Sequence, residues 1–588
     1  MSRFLGRPIF YINRRFQQTQ AKIASKIKKP QQPLGHLAAG PVFRNARLFP
    51  NNIAVRDRIA AYTYANIFMS ANELSKEITG LLDGKTNQKV MFLCPNDVQY
   101  VITLWAIWMS GQIAIPVSPL HPKTLLLYYA NDSSSKLLIT IPEYSDLMHR
   151  VARNSSTLLH VLDDKLKLNC TLLQPIHKND LEGGIDDDFY KKSDAMILYT
   201  SGTTANPKGV VLSYNNLTAQ VSSLLDAWRW TSDDVILHAL PLHHVHGIVN
   251  ALLCPLYAGA KTMMLKKFNA NSAWSYLLGV NAGPDDRRVT IFMGVPTMYS
   301  KLVEEYDRVF KQDPKMADYI KNNIHSKVRL MISGSAPLPL PLYERWLEIT
   351  GHQLLERYGM TETGMTLSNL YDSRKPGFVG VPLRGVSARI VDMENADKEE
   401  ALVECSNVED TLVYSKNCQK DAQGQDPVGE LQLKGPGIFS KYHERPETTK
   451  NSFTSDNYFK TGDVCQYSLD KKSFKILGRK SIDIIKTGGY KVSALEIEAA
   501  LHGNAAIKDC SVIGVKDEQW GERVVAIVAL VKNEIDNKRI EEELVQWSHT
   551  VLPKYAVPKE FRFVETIPKN AMGKVNKKEL VQRAFGPR

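Results

Sequence analysis

Helix-like and strand-like apolar patterns alternate along most of this chain. In the first part, residues 71–82 place apolar side chains at helical spacing, and the continuous run 89–93 predicts a buried strand. Residues 98–120 carry no charge and include Trp105 and Trp108. Ser110-Gly111 interrupts that stretch and Pro116 and Pro119 follow. A core helix over about 97–110, a glycine cap and a strand over 113–117 therefore explain it better than a membrane span. Another strand is expected at 136–140. Alternation of this type over 41–190 predicts an α/β layer with a largely parallel sheet.

The same pattern continues. Residues 195–199 predict a buried strand. Ser213 is placed to cap a helix whose apolar positions are Leu217, Val221, Leu224, Leu225 and Trp228. The polar stretch 200–209 is thereby expected between a strand and a helix. A strand over 235–240 leads into Pro241-Leu-His-His-Val-His-Gly247, expected as a polar turn over the sheet. After a strand at 289–293, a helix from Met298 shows the stripe Tyr299, Leu302, Val303, Tyr306. Lys301 falls on the opposite side of that wheel, which predicts a solvated lysine. Strands are expected at 329–338, ending in the small-residue turn Ser333-Gly334-Ser335-Ala336, and at 354–363. Residues 393–427 are polar and acidic without clear periodicity, and a surface loop inserted in the fold is expected there. A strand resumes at 429–435.

From Lys480 the pattern becomes that of a smaller unit. Ser493 and Glu496 have the spacing of a capping box at a helix start. The expectation is an α/β protein: a large N-terminal domain of layered α/β subdomains over 41–479, then a small, mobile α+β domain over 480–588.

Composition changes this picture in one place. With 588 residues, 43% hydrophobic and 23% charged, the chain has the make-up of a multidomain globular protein. Its formal net charge of +12 would fit a nucleic-acid or membrane partner. Eight of those charges (Arg3, Arg7, Arg14, Arg15, Lys22, Lys26, Lys28, Lys29) lie in the first 30 residues, and the first acid is Asp57. The remainder is near +4, so no nucleic-acid partner is expected. An Arg-rich, acid-free start over 1–40 resembles a mitochondrial transit peptide, and a matrix location is expected. Seven scattered cysteines without a C-x-x-C pair fit reduced thiols and no zinc site.

Three polar stretches carry candidate chemistry. Thr200-Ser-Gly-Thr-Thr-Ala-Asn-Pro-Lys-Gly209 gathers hydroxyls and exposed amides around a glycine, with Lys208 as a fixed cation; such a loop can wrap a polyphosphate. It is not a P-loop of the G-x-x-x-x-G-K-[ST] kind, because the lysine precedes the second glycine. Taken alone, an ordinary polar turn would be the better reading. Tyr358-Gly-Met-Thr-Glu362 follows a strand, and Glu362 is a hard oxygen donor of the type Mg²⁺ takes. In Phe459-Lys-Thr-Gly-Asp463, a carboxylate after a tight turn can accept two ribose hydroxyls. For any of these residues singly, a salt bridge or a solvated turn would be the default.

Together they resemble the adenylate-forming superfamily of acyl-CoA synthetases, peptide-synthetase adenylation domains and luciferases. The order Ser-Gly-Thr-Thr-x-x-Pro-Lys-Gly is that family's phosphate loop, with Ala205 where glycine is usual. The resemblance covers nearly all of the chain after about residue 45. It implies ATP contacts from Thr200, Ser201, Gly202, Thr203, Thr204 and Lys208, and from Gly334, Ser335, Ala336, Glu356, Arg357, Tyr358, Gly359, Thr361, Asp463 and Arg479. A purine would lie flat on the 334–336 backbone and Glu362 would hold Mg²⁺. His244, in the family's Pro-x-x-His-x-x-Gly, would line the acid pocket. Lys574, in Pro568-Lys-Asn-Ala-Met-Gly-Lys574, would be the catalytic lysine. Gly488-Gly489 would meet the pantetheine arm of coenzyme A, and Ser481 would be the hinge on which the small domain swings.

The reaction so implied activates a carboxylate with ATP and passes the acyl group to a thiol. Arg357-Tyr-Gly-Met-Thr-Glu362 and 484–496 look most like malonyl-CoA synthetases. A dicarboxylate needs a cation for its second carboxylate. Lys301 stands where bacterial members carry arginine, and Arg357 is a second candidate. The expected activity is malonate or methylmalonate ligation to coenzyme A. A medium-chain fatty acyl-CoA synthetase and a non-catalytic nucleotide-binding protein are the alternatives. No obligate protein partner is indicated.

Overall fold

Two largely parallel sheets organise the larger part of the chain in the computed structural model. It describes residues 40–163, 166–171, 180–200, 207–280, 288–393, 400–416, 419–420, 424–487, 490–531, 537–569 and 575–585. In the first sheet Asp194–Thr200, Ile113–Pro116, Lys89–Leu93, Leu137–Thr140 and Leu158–Val161 lie parallel in that order. In the second the parallel order is Leu355–Met360, Leu330–Ser333, Ile291–Gly294, Val235–His238, Lys261–Met264, Ile53–Arg56. Parallel strands covered on both faces read as unbroken apolar runs. Leu330–Ser333 and Ile291–Gly294 are buried at every position.

Local chemistry explains the elements. The uncharged stretch forms the helix Val98–Met109, capped by Asp97, whose side chain accepts from Gln99 N; all twelve residues are buried. Trp108 Nε1 donates to the Ala195 carbonyl at 2.8 Å, docking that helix on the strand that enters the polar loop. Gly111 takes φ 70° just after the helix, as its cap position requires. Among the described residues no helix is long and apolar enough to cross a membrane. The helix expected over 71–82 starts earlier, at Tyr64, because Thr63 caps it. Far from the loops, Arg329 makes two 2.7 Å bonds to Asp234, which also accepts from Thr290 Oγ1 at 2.8 Å. Breaking such a buried pair costs about 3–5 kcal/mol.

Four expectations are corrected. The polar loop does not run into a helix: a second strand, Lys208–Ser213, pairs antiparallel with Asp194–Thr200 before the helix Tyr214–Ala227 begins. Val210, Val211 and Leu212 are β-branched or apolar and all buried, which favours strand there. The inserted stretch is not simply a surface loop. Ala401–Val408 and Thr411–Lys416 form a hairpin at the edge of a six-stranded sheet. Ala401, Val403 and Cys405 point inward between more exposed neighbours, a period of two. Asp463 sits within the ten-residue strand Phe459–Ser468 rather than after a turn; Gly462 at φ 70° supplies the local irregularity. At the small domain's first helix, Ser493 accepts from Glu496 N, but the Glu496 carboxylate pairs with Lys475 at 2.5 Å instead of closing the capping box.

The large domain's core extends from Val42 to Phe474. The small domain has its own, built from Ile485, Val512, Val524, Leu544 and Phe561 among others. There a five-stranded sheet carries the helices Ala494–Leu501 and Asn537–Val551. Between the two cores the chain passes through an exposed turn containing Ser481.

Candidate active site

Thr200, His246 and Gly334 lie at or just beyond the carboxyl ends of parallel strands, the usual ligand position in open α/β sheets, whereas Asp463 and Arg479 lie on paired antiparallel strands of the six-stranded sheet. The candidate residues form three clusters.

The first surrounds Arg357, on the strand Leu355–Met360. Its guanidinium is 3% exposed, and Nε and Nη2 have no hydrogen-bond partner among the described residues. Burial pushes its pKa down to about 9, so it remains a cation at neutral pH. It packs against the backbone of Gly334, at the end of the adjacent strand. Ser335 next to it takes φ 70°, uncommon outside glycine. Its Oγ lies 3.2 Å from His246 Nδ1. His246 is fully buried and its Nε2 lacks a partner among the described residues. Burial first, then the charge of Arg357, holds it well below the ordinary histidine range, so its imidazole is neutral.

The second cluster joins Tyr358, Asp463 and Arg479. Asp463 Oδ2 accepts from the Tyr358 hydroxyl at 2.5 Å, and Oδ1 lies 3.1 Å from Arg479 Nε. Asp463 and Arg479 face each other across paired strands. Burial would lower Arg479, but Asp463, Tyr358 and Glu362 raise it overall. A carboxylate has about four acceptor sites, a chemistry that suits hydroxyl groups.

The third holds Glu362. It is 7% exposed, and Oε1 accepts from the Tyr442 hydroxyl at 2.9 Å. Burial raises its pKa and the Tyr442 bond opposes that. Lys208 Nζ stands 5.1 Å over the Tyr442 ring, which ties this cluster to the strand leaving the polar loop. Among the described residues no group of three or more His, Cys, Asp or Glu could form a metal cage. Glu362 is a buried carboxylate, the kind of hard oxygen donor that Mg²⁺ takes.

The remaining expected residues are placed less centrally. Thr200 ends its strand with Oγ1 3.4 Å from the Lys208 carbonyl. Glu356 is buried and accepts from Gly377 N at 2.7 Å, pointing at backbone. Thr361 and Ala336 are partly exposed, and Gly359 backs onto Gly364 O. His244 is partly buried, its ring 4.1 Å from that of His243. Instead of a simple polar turn, the histidine stretch runs into a π-helical segment, His246–Leu253. Lys301 is exposed, opposite the buried Tyr299, Leu302 and Tyr306, as its helical position predicts. Ser481 is exposed. Ser201, Gly202, Thr203, Thr204, Ala205, Gly488, Gly489 and Lys574 lie outside the described residues. Sequence reasoning passed over His246 and Tyr442. The histidine triplet signalled the first; no sequence signal marked the second.

Residues 42–443 match the family of AMP-binding enzymes and residues 496–574 the AMP-binding enzyme C-terminal domain. A mitochondrial malonate–CoA ligase of Bos taurus is 44% identical over 93% of this chain and 91% of its own. A malonate–CoA ligase of Arabidopsis thaliana is 37% identical over 90% and 86%. Among solved structures, ATP-bound MatB from Rhodopseudomonas palustris is similar with a TM-score of 0.76 and 30% identity, over 93% of this chain and 99% of that one. A malonyl-CoA ligase complex with methylmalonyl-CoA and AMP gives 0.58 and 29%, over 92% and 100%. With both domains matched in order and relatives of this identity over most of its length, this chain belongs to the adenylate-forming family of AMP-binding enzymes.

Proposed function

We propose that this protein joins malonate to coenzyme A at the expense of ATP. The observation that carries the substrate is Arg357. A buried guanidinium without an acid beside it among the described residues is costly, and a dicarboxylate supplies the anion that would relieve it. A fatty-acid site would want an apolar floor there. Similarity to relatives named malonate–CoA ligases supports the same choice.

In this reading one malonate carboxylate oxygen attacks the α-phosphorus of ATP. The new acyl–phosphate bond replaces the bond to the β-phosphate oxygen, and pyrophosphate leaves. The thiolate of coenzyme A then attacks the acyl carbonyl and AMP leaves with the bond electrons. Arg357 holds the distal carboxylate, with Lys301 as a second candidate cation, and His246 and His244 stand near the guanidinium. Asp463, with Tyr358 and Arg479, orients the ribose; the backbone at Gly334, Ser335 and Ala336 receives the purine. Thr200 and Lys208 flank the phosphate segment. Glu362 would hold Mg²⁺, which would offset phosphate charge as the two anions meet. Lys574 would bridge carboxylate and α-phosphate, and rotation about Ser481 would exchange it for Gly488-Gly489 when the thiol arrives. The basic leader supports a mitochondrial matrix location, and the product places the enzyme in acyl-CoA and fatty acid metabolism.

Pyrophosphate release measured against acetate, malonate, methylmalonate, succinate and octanoate tests the proposal. Malonate, with or without methylmalonate, is expected to lead. Octanoate leading would overturn it.

A further inference from the structure

Both ends of the segment 201–206 are tied to one buried carboxylate that the reaction chemistry does not use. Asp132 closes the helix Lys123–Asp132, and its side chain is 8% exposed. Oδ2 accepts from the Tyr199 hydroxyl at 2.8 Å, on the strand that enters the segment. Tyr128, one turn earlier on the helix, shares its single hydroxyl proton between two acceptors. They are Asp132 Oδ1 at 3.2 Å and the Pro207 carbonyl at 2.8 Å, where chain leaves the segment. Arg445 Nη2 donates to Oδ1 at 2.6 Å.

We propose that Asp132 is a positioning residue for the nucleotide phosphates. It clasps the two ends of segment 201–206 and sets the opening between Thr200 and Pro207. The inference rests on the reading that this segment receives the polyphosphate of ATP.

The surroundings are built to hold that geometry. The Tyr199 ring stacks on Tyr129 with centroids 4.2 Å apart, so the hydroxyl has little room to swing. Burial first, then Asp132, raises the Tyr199 hydroxyl far above its ordinary range, which keeps it a donor. Arg445 follows the strand Lys441–Tyr442, which pairs with Lys208–Ser213, and His443 N donates to the Gly209 carbonyl at 2.8 Å. The clasp thus spans the entering strand, the exit and the neighbouring strand. Segment 201–206 itself is Ser-Gly-Thr-Thr-Ala-Asn, with no charged side chain. Fixing the ends of an anion-binding segment beforehand lowers the entropy lost when the anion binds. A purely structural clasp would instead lower stability and weaken every substrate alike.

The test uses the full-length enzyme with Asp132→Asn, Tyr199→Phe and Arg445→Gln. Losing a charge-assisted hydrogen bond of this type corresponds to about tenfold in affinity. The KM for ATP, and the Kd for ATP titrated without acid, are expected to rise about that much in Asp132→Asn. The KM values for malonate and coenzyme A should stay within about twofold of wild type. An unchanged ATP Kd in all three variants overturns the clasp. So does a parallel rise in all three KM values with a lowered Tm. If Asp132→Asn does not fold, Tyr199→Phe, which keeps the ring stack, carries the same comparison. Wild-type protein that ignores malonate would defeat the proposed function, while the ATP Kd series would still decide the clasp.

Discussion

Arg357 and Gly334 are in direct contact: a Cβ built on Gly334 would stand 2.5 Å from the Arg357 guanidinium carbon. Only glycine leaves that space, so the turn after one parallel strand admits the cation carried by the next. Gly334→Ala should push the guanidinium off its position while leaving the nucleotide clusters at Asp463 and Glu362 intact. The KM for malonate is expected to rise about tenfold or more, and further than the KM for ATP, because the added methyl meets the guanidinium directly while the purine would be received on backbone. Steady-state kinetics with each substrate varied in turn check it; equal increases in both would show a general collapse of the site.

Arg357 also links function to stability. Burial has lowered its pKa, so the folded state is penalised for keeping the charge at neutral pH. Arg357→Met removes that penalty and fills the space with an apolar side chain. The variant should lose malonate turnover yet unfold at a Tm equal to or above wild type. Malonate at 100 times its Kd should stabilise wild type by about 2.7 kcal/mol and the variant not at all. Thermal unfolding with and without malonate gives both readings, and a variant Tm several degrees below wild type would refute the penalty.

Glu356, the next residue along the strand, supplies a pH dependence. Burial raises its pKa from the ordinary 4.5 to about 8, against the lowering bond from Gly377 N. A folded pKa above the unfolded one means the folded state keeps a proton that the unfolded state releases. Its stabilising share is complete below about pH 4.5 and is lost as pH rises through about 8. Glu356→Gln is permanently neutral and keeps an acceptor for Gly377 N. The Tm of the variant relative to wild type should climb between pH 5 and 8 and then level off. A difference independent of pH would show that Glu356 is ionised throughout.

The ribose role of Asp463 can be separated from its structural one. It bonds Tyr358 and Arg479 within the protein, and in the proposed role it would accept from the ribose hydroxyls as well. Wild type should bind 3′-deoxy-ATP about tenfold more weakly than ATP. Tyr358→Phe keeps the carboxylate and should preserve that discrimination; Asp463→Asn should reduce it. Competitive inhibition constants for the two nucleotides make the comparison, and undiminished discrimination by Asp463→Asn would remove the ribose assignment.

How legible the protein was in its sequence follows from the range of the forces involved. The helix Val98–Met109, the strand Lys89–Leu93 and the cap at Ser213 are local patterns, and the structure keeps them. Lys301 is exposed where its helical phase puts it. The hairpin closing the polar loop was hidden because Val210-Val211-Leu212 is too short for periodicity to decide. The edge hairpin at 401–416 alternates in burial, but its inward positions include Ala401 and Cys405, which carry little apolar signal beside the acids. What no sequence pattern carries is long-range pairing. His246 meets Ser335 across 89 residues and Arg445 meets Asp132 across 313. Such bonds are fixed by strand order, which motifs do not state.

Tyr442 is the residue of this kind nearest to the chemistry. Its hydroxyl donates to Glu362 from 80 residues away and opposes the effect of burial on that carboxylate. A carboxylate must be ionised to hold a cation, and a raised pKa moves the acid limit of activity upward. Tyr442→Phe keeps the ring beneath Lys208 and removes only the donor. Glu362 should then titrate at still higher pH, moving the acid limb of kcat upward and increasing the Mg²⁺ needed for half-maximal rate. Glu362→Gln should abolish the limb altogether, because no titrating group remains at that position. Rates of malonate-dependent pyrophosphate release across pH 5–9, at limiting and saturating Mg²⁺, distinguish these outcomes. An acid limb that stays in place in Tyr442→Phe would mean that the limb belongs to another group and that the Tyr442 bond is merely structural.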